Sequence, residues 1–360
     1  MKIGILTFHL ADNYGAVLQA YALQNILQDM GHEARILNYQ DKALIRAYKI
    51  FGSWKPRAVI KGILKMLLKE PVKHKKFQDF RRRYLDLSKM CYDIWDINGF
   101  DLDAVIVGSD QVWNTTITGK NPIYFLEKHD EKLKAVSYAA SIGNLEDIDA
   151  EKGFIAQGLS NFDYISVREQ SIAGYFSDIV QRKIYTVLDP TLVVKKSVWD
   201  SFLRDVPQKE KYVFVYRMTY HPLIEKLARY IAGLRQSRIV SISTYAKPEM
   251  KSGIRSKYGI GPEQFLNYIH GAEFVITDSF HGTAFSLAFN KNFYSVLNPR
   301  YGGRIEELLK RLGLEERIFC GQSDFNSISL EMDYGDINQK VKKLQEESMD
   351  FLKLSLKEGM

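Results

Sequence analysis

Thr277-Asp278-Ser279-Phe280-His281-Gly282-Thr283 is the stretch on which the reading of this chain turns. It follows Glu273-Phe274-Val275-Ile276, a short apolar run of strand type, and precedes Ala284-Phe285-Ser286-Leu287-Ala288-Phe289, which reads as a buried helix. An acid, two kinds of hydroxyl and an imidazole therefore sit on a strand-to-helix turn. In an open α/β sheet such turns lie at the carboxyl ends of the strands, where ligands bind, and the unpaired N–H groups of the helix start favour an anion. Asp278, Ser279, His281, Gly282 and Thr283 are accordingly candidate site residues. The competing reading is local: Asp278 or Ser279 caps the helix, and His281 is a half-buried histidine satisfied by its neighbours.

Composition sets the frame for that turn. A chain of 360 residues suggests two domains. With 46% hydrophobic residues and no low-complexity tract, it can build a sizeable core. Cys91 and Cys320 are far apart and make no metal or redox spacing, so reduced thiols and no metal site are expected. No apolar run reaches the length of a membrane span, and a cytoplasmic protein is expected. The formal charge of +7 is concentrated: residues 42–90 carry a net +12, and the remainder a net −5. A binder of duplex nucleic acid would spread its positive charge over a folded face, so nucleic acid is not an expected partner.

Taken in order, Lys2 to Phe8 reads as a strand, Val17 to Leu27 as a helix ended by Gly31, and His32 to Tyr39 as a second strand. The opening is thus βαβ, with Asn13-Tyr14-Gly15 in its first turn. In the basic insert, Val59, Ile60, Ile63, Leu64 and Leu67 repeat at helical spacing, while Lys61, Lys65 and Lys69 share another face. A helix over 59–69 either docks on the protein or attaches to an anionic membrane surface, at the inner face, or to a lipid-linked diphosphate acceptor. Further strands end in polar loops: Asp103 to Val107 in Gly108-Ser109-Asp110-Gln111-Val112-Trp113-Asn114, Lys134 to Tyr138 in Ala139-Ala140-Ser141, and Asp163 to Val167 in Arg168-Glu169. Asp189-Pro190-Thr191 reads as the boundary, after which strands and helices alternate again from Lys211 to Leu312. The expected architecture is α/β: two Rossmann-like doubly wound domains facing a cleft, 1–190 with the insert 42–90, and 191–336. A last helix, 337–360, could pack back on the first domain.

Six stretches, taken together and in this order, resemble the polysaccharide pyruvyl transferase family. They are Asn13 to Leu23, Gly108 to Asn114, Tyr138 to Ser141, Ser166 to Glu169, Asp189 to Leu192, and Thr277 to Gly282. The resemblance implies a pair of domains like those of GT-B glycosyltransferases and transfer of a pyruvyl group from phosphoenolpyruvate to two hydroxyls of a sugar, with no cofactor. It carries the donor-binding arginine onto Arg168 and the family histidine onto His281. Better-studied members have an arginine two residues before that histidine, where this chain has Ser279.

The chemistry asks for matching residues. A small multiply charged anion needs guanidinium groups and helix-terminal N–H groups, which Arg168, Gly282, Thr283 and Arg304 could supply. Ketal formation needs a proton delivered to a methylene carbon and protons taken from hydroxyls. His281 with Asp278 or Asp110 is the expected acid-base pair. Asn13, Tyr14, Gly15, Ser109, Trp113, Asn114 and Ser141, at the other strand ends, complete the expected binding set. Two other classes fit the same architecture: a glycosyl or other group transferase with a nucleotide-activated donor, and a noncatalytic module that binds membrane or glycan through the insert.

Overall fold

The computed structural model describes residues 1–42, 45, 69–143, 151–204, 210–243, 253–298, 302–321 and 323–357. Apart from Lys69, the basic helix expected over 59–69 lies outside the described residues, as does Arg300, the alternative to Arg304 as a donor-binding guanidinium. The chain divides into two compact units, one of Met1–Lys49, Arg81–Lys195 and Val341–Met360, the other of Ile50–Phe80 and Lys196–Lys340.

The first unit holds a seven-stranded parallel sheet, made of β1 (Lys2–Leu6), β2 (Glu33–Tyr39), β3 (Leu87–Cys91), β4 (Ala104–Val107), β5 (Lys134–Ala140), β6 (Tyr164–Val167) and β7 (Tyr185–Thr186). Its order is β3-β2-β1-β4-β5-β6-β7. The order reverses between β1 and β4, whose residues Leu6 and Val107 are in register. β4 reads Ala-Val-Ile-Val and is buried throughout, as expected of a central parallel strand covered on both faces. Helix α1 (Tyr14–Asp29) packs an almost continuous apolar surface into the unit.

Two features depart from the sequence expectation. The insert was expected to run through residue 90, yet Leu87–Cys91 is the edge strand β3. Its alternation is masked by Ser88, Lys89 and the exposed Met90, which an edge strand tolerates. The part of helix α2 (Glu70–Tyr84) up to Phe80 belongs to the second unit. There Lys76 Nζ donates to the Gly259 carbonyl at 2.8 Å and to Gln264 Oε1 at 2.6 Å, and the Phe80 ring lies 5.7 Å from that of Phe202.

The unit division falls after Lys195 rather than at Asp189-Pro190-Thr191. Pro190 does not end an element but begins the short helix α3 (Pro190–Val193), whose cap Asp189 accepts from the Thr191 N–H.

The second unit holds a six-stranded parallel sheet: β8 (Tyr212–Arg217), β9 (Arg238–Ser243), β10 (Ile254–Ser256), β11 (Phe274–Thr277), β12 (Asn292–Val296) and β13 (Ile318–Phe319). The order β10-β9-β8-β11-β12-β13 reverses between β8 and β11. Helices α4 (Pro222–Arg235), α5 (Pro262–His270), α6 (Phe280–Ala288) and α7 (Gly303–Leu312) connect the strands. The core gathers Val213, Val215, Ile224, Leu227, Ile231, Phe274 and Ile276. Tyr334–Ser355 is the last helix, α8, and from Val341 onward it counts with the first unit. Ser348 Oγ accepts from the Leu188 N–H at 2.9 Å, Gln345 Nε2 donates to the Leu192 carbonyl at 2.5 Å, and the Phe351 ring lies 5.0 Å from that of Tyr185.

Candidate active site

The turn quoted first stands where the second sheet reverses its order. Phe274–Thr277 is buried and ends the strand; Ser279 is extended and caps α6, its hydroxyl accepting from the Gly282 N–H at 3.4 Å, while its own N–H donates to Thr277 Oγ1 at 3.0 Å. The capping reading of Ser279 therefore holds alongside any role toward a ligand. Gly282 is required by space: a Cβ would stand 2.2 Å from Thr277 Oγ1 and 2.9 Å from Thr277 Cβ. Gly282→Ala should destabilise the protein by about 1–3 kcal/mol, the usual range for overpacking. Urea unfolding checks this, and a wild-type midpoint would mean that Thr277 gives way at no cost.

His281 occupies the first turn of α6 and is 7% exposed. Its ring meets Phe280 edge-on, with centroids 5.3 Å apart. The Arg304 guanidinium, from the first turn of α7, lies over the ring of Phe280, 5.9 Å from its centroid. Arg304 is thus brought to the N-terminal turn of α6. Thr283 is fully buried; its hydroxyl meets Ser295 Oγ at 2.7 Å and donates to the Ser279 carbonyl at 3.2 Å. Thr283 holds the turn to β12.

Asp278 has a defined structural task. Oδ1 accepts from the Met218 N–H at 2.6 Å, and Oδ2 accepts from the Thr219 N–H and hydroxyl at 3.0 and 2.7 Å. Burial raises its pKa above the ordinary carboxylate value, and these donors pull in the other direction. Asn298 Nδ2 donates to the same Thr219 hydroxyl at 3.1 Å, so the ends of β8, β11 and β12 are tied together.

In the first unit, the reversal between β1 and β4 is tied in a comparable way. Thr7 Oγ1 donates to the Ser109 carbonyl at 2.9 Å, Gln19 Nε2 donates to Thr7 Oγ1 at 2.8 Å, and the Ser109 N–H donates to Gln19 Oε1 at 3.2 Å. Arg168, at the end of β6, forms a buried ion pair with Asp189 at 2.8 Å, the two side chains 3% and 0% exposed. The same guanidinium donates to Ser109 Oγ at 2.6 Å, and that hydroxyl donates to Asp189 Oδ2 at 3.0 Å. Ser141 Oγ donates to Glu169 Oε1 at 2.6 Å. Ser109, Arg168 and Asp189 thus form one hydrogen-bonded group, and Ser141 and Glu169 form a second pair. Asp110 follows with φ +76° and its carbonyl accepts from the Ser141 N–H at 3.0 Å.

Other expected binding residues have different tasks. Trp113 is 1% exposed, stacks on Phe125 at 5.4 Å and donates its indole N–H to the Tyr124 carbonyl at 2.8 Å. It is a core residue, and its apolar bulk is the reason. Asn114 caps a short helix through the N–H groups of Thr116 and Ile117. Asn13 caps α1 by accepting from Ala16, and Tyr14 and Gly15 are buried in its first turn. Asp110 and Arg168 belong to the first unit, and Asp278, His281 and Arg304 to the second.

Sequence reasoning missed three groups. Asp189 was read as the domain boundary and as part of a stretch that carries the family resemblance, with no partner assigned to it. Arg81, taken as part of a basic run, is buried and pairs with Asp12 at 3.0 Å. Arg217, at the end of β8, is 2% exposed; the signal was available, since an arginine closes the apolar run Tyr212-Val213-Phe214-Val215-Tyr216.

Residues 13–299 match the polysaccharide pyruvyl transferase family. The chain belongs to that family. It is therefore a transferase of polysaccharide pyruvylation, with a sugar as its acceptor. No curated protein matches the sequence significantly. Among solved structures, the chain is similar to UDP-GlcNAc 2-epimerase from Neisseria meningitidis bound to UDP-GlcNAc, with 9% identity and a TM-score of 0.49, covering 99% of this chain and 95% of that one. It is also similar to the S. aureus MnaA–UDP co-structure, with 11% identity, a TM-score of 0.47 and coverage of 97% and 91%. A third is E. coli ADP-heptose LPS heptosyltransferase II, with 10% identity, a TM-score of 0.39 and coverage of 98% of both chains. The family assignment rests on the sequence match. Among the described residues, no helix is long and apolar enough to cross a membrane.

Proposed function

We propose that the chain moves the pyruvyl group of phosphoenolpyruvate onto two hydroxyls of a sugar, making a cyclic ketal on a cell-surface polysaccharide or its precursor. The observation that carries this reading is the turn at the sheet reversal, where the first turn of α6 holds His281 and Arg304 stands over the adjoining Phe280. A helix start with a guanidinium beside it suits a donor that bears both a carboxylate and a phosphate.

The balance of the reaction defines what residues must do. Protonation of the donor's methylene carbon makes it a methyl group and develops oxocarbenium character at the adjoining carbon. Two sugar oxygens form bonds to that carbon, and the bond to the phosphate oxygen breaks. One hydroxyl proton replaces the proton given to the methylene, and the other leaves with phosphate. His281 is the proposed proton carrier, since imidazole can both give and take a proton near neutral pH. Arg304 is proposed to neutralise the donor's charge.

Incubation with phosphoenolpyruvate and sugar acceptors, with phosphate release as the readout, tests the reaction. Release of a nucleotide from a nucleotide-activated sugar, with phosphoenolpyruvate left intact, would replace this reading by the glycosyl-transfer one. Arg304→Gln should weaken phosphoenolpyruvate binding by about 1.5–3 kcal/mol, the usual worth of a hydrogen bond to a charged group, and change the acceptor KM little. Equal binding by calorimetry would remove Arg304 from the donor site.

A further inference from the structure

Strands β8 and β11 end side by side at the reversal of the second sheet, with Tyr216 in register with Thr277. The next residues along the two strands are Arg217 and Asp278. Ligands of open parallel sheets sit outside the carboxyl ends of the strands that flank such a reversal. Asp278 leads into α6 and His281; Arg217 is its counterpart on the neighbouring strand.

Arg217 is 2% exposed and among the largest fully buried side chains of the protein. An apolar side chain would extend the run Tyr212 to Tyr216 at lower cost of desolvation, whereas a guanidinium stays charged at any working pH. Its backbone is also held firmly. The two residues after it give their N–H groups to Asp278, and Thr219 adds its hydroxyl. Through Thr219 the turn is joined to Asn298 beyond β12. The Asp278 carboxylate is committed to this turn, which fixes the strand end carrying Arg217 beside the start of α6.

We propose that Arg217 is a donor-binding residue, taking a carboxylate or phosphate oxygen of the donor at this sheet reversal, and that Asp278, Thr219 and Asn298 form the clamp that positions it. The assignment rests on the pyruvyl-transfer reading. It gives the second unit two guanidinium groups for a donor with two anionic groups, Arg304 over Phe280 and Arg217 at the end of β8. Asp278 then acts through the turn as a positioning residue, leaving His281 as the proton carrier of this unit.

The test is phosphoenolpyruvate calorimetry on the full-length protein and on Arg217→Lys, Arg217→Met and Thr219→Val, each also followed by thermal unfolding. Arg217→Lys keeps the charge but loses the planar fork, and its Kd should rise about tenfold, with about 100-fold or more for Arg217→Met. Thr219→Val, which takes a rung from the clamp without touching Arg217, should raise the Kd several-fold. Folded Arg217 variants that bind within twofold of wild type overturn the assignment, whatever their unfolding temperatures. If Arg217→Met does not fold, Arg217→Lys alone decides. Wild-type protein that fails to bind phosphoenolpyruvate removes the donor reading and this assignment with it, whereas binding by wild type with equal binding by the variants removes the Arg217 assignment only.

Discussion

Under the proposed reaction, alanine at His281 should lower turnover about 100-fold or more and leave phosphoenolpyruvate binding near the wild-type value, the pattern of a group whose main interaction is made in the transition state. The geometry supports this split. His281 stands in the first turn of a helix whose cap, Ser279, and whose third residue, Gly282, are fixed by bonds and packing that do not involve the imidazole. Truncation removes an edge-on contact with Phe280, at 5.3 Å, but no part of the cap. Folding should survive. The measurement is kcat and KM for phosphate release, together with thermal unfolding and donor calorimetry. Turnover within a few-fold of wild type would return His281 to a structural role, and loss of binding in proportion to turnover would make it a donor-binding group instead.

Asp189→Ala should destabilise the protein by about 3–5 kcal/mol, because it takes the counter-charge from a buried guanidinium. Arg168 and Asp189 are 2.8 Å apart and almost wholly withdrawn from water. Asp189 also accepts from the Thr191 N–H and hydroxyl at 2.9 and 2.5 Å and from the Ser109 hydroxyl at 3.0 Å. Alanine leaves all of these donors without that acceptor at once. Asp189→Asn keeps an oxygen for the Thr191 donors but loses the charge, so it should fall between alanine and wild type. Urea unfolding followed by a probe in the first unit reads the effect. A loss below about 1 kcal/mol for Asp189→Ala, the level of an exposed pair, would show that Arg168 is balanced by other groups.

The layout of strands and helices was legible because parallel strands buried on both faces leave long apolar runs, and polar residues cluster where those runs stop. Phe274–Thr277 and Tyr164–Val167 are of this kind. Edge strands have no such signature: Leu87–Cys91 hides among lysines, and Ile254–Ser256 is only three residues long. The candidate site was legible as positions: those of His281 and Arg304, near the start of α6, could be read from their place after strands. The tasks of Asp278, Ser109 and Trp113 were not, because which oxygen accepts from which turn depends on contacts between residues as far apart as Thr219 and Asp278. Spacing along the chain carries no record of such pairings. Arg217 was passed over because its charge falls at the end of the apolar run Tyr212 to Tyr216, although it is still part of β8.

The docking of the last helix has a consequence for the order in which the protein is made. The first unit is discontinuous: its sheet is complete in sequence by Thr186, yet it also includes Val341–Met360. Leu188, next to the Asp189 of the buried ion pair, gives its N–H to Ser348, and Tyr185 packs against Phe351. A nascent chain that has reached residue 340 has therefore synthesised every strand of that sheet and still lacks the helix that covers its β7 edge. Closure of these contacts spans about 160 residues of sequence. Contacts of such separation form late, since the loop must first be closed at an entropic cost. The first unit, although begun at the N-terminus, acquires its final cover only after the second unit has been synthesised. A ribosome stalled before Val341 would hold a chain whose β7 edge and Leu188 N–H await their partners, a species open to proteases and chaperones.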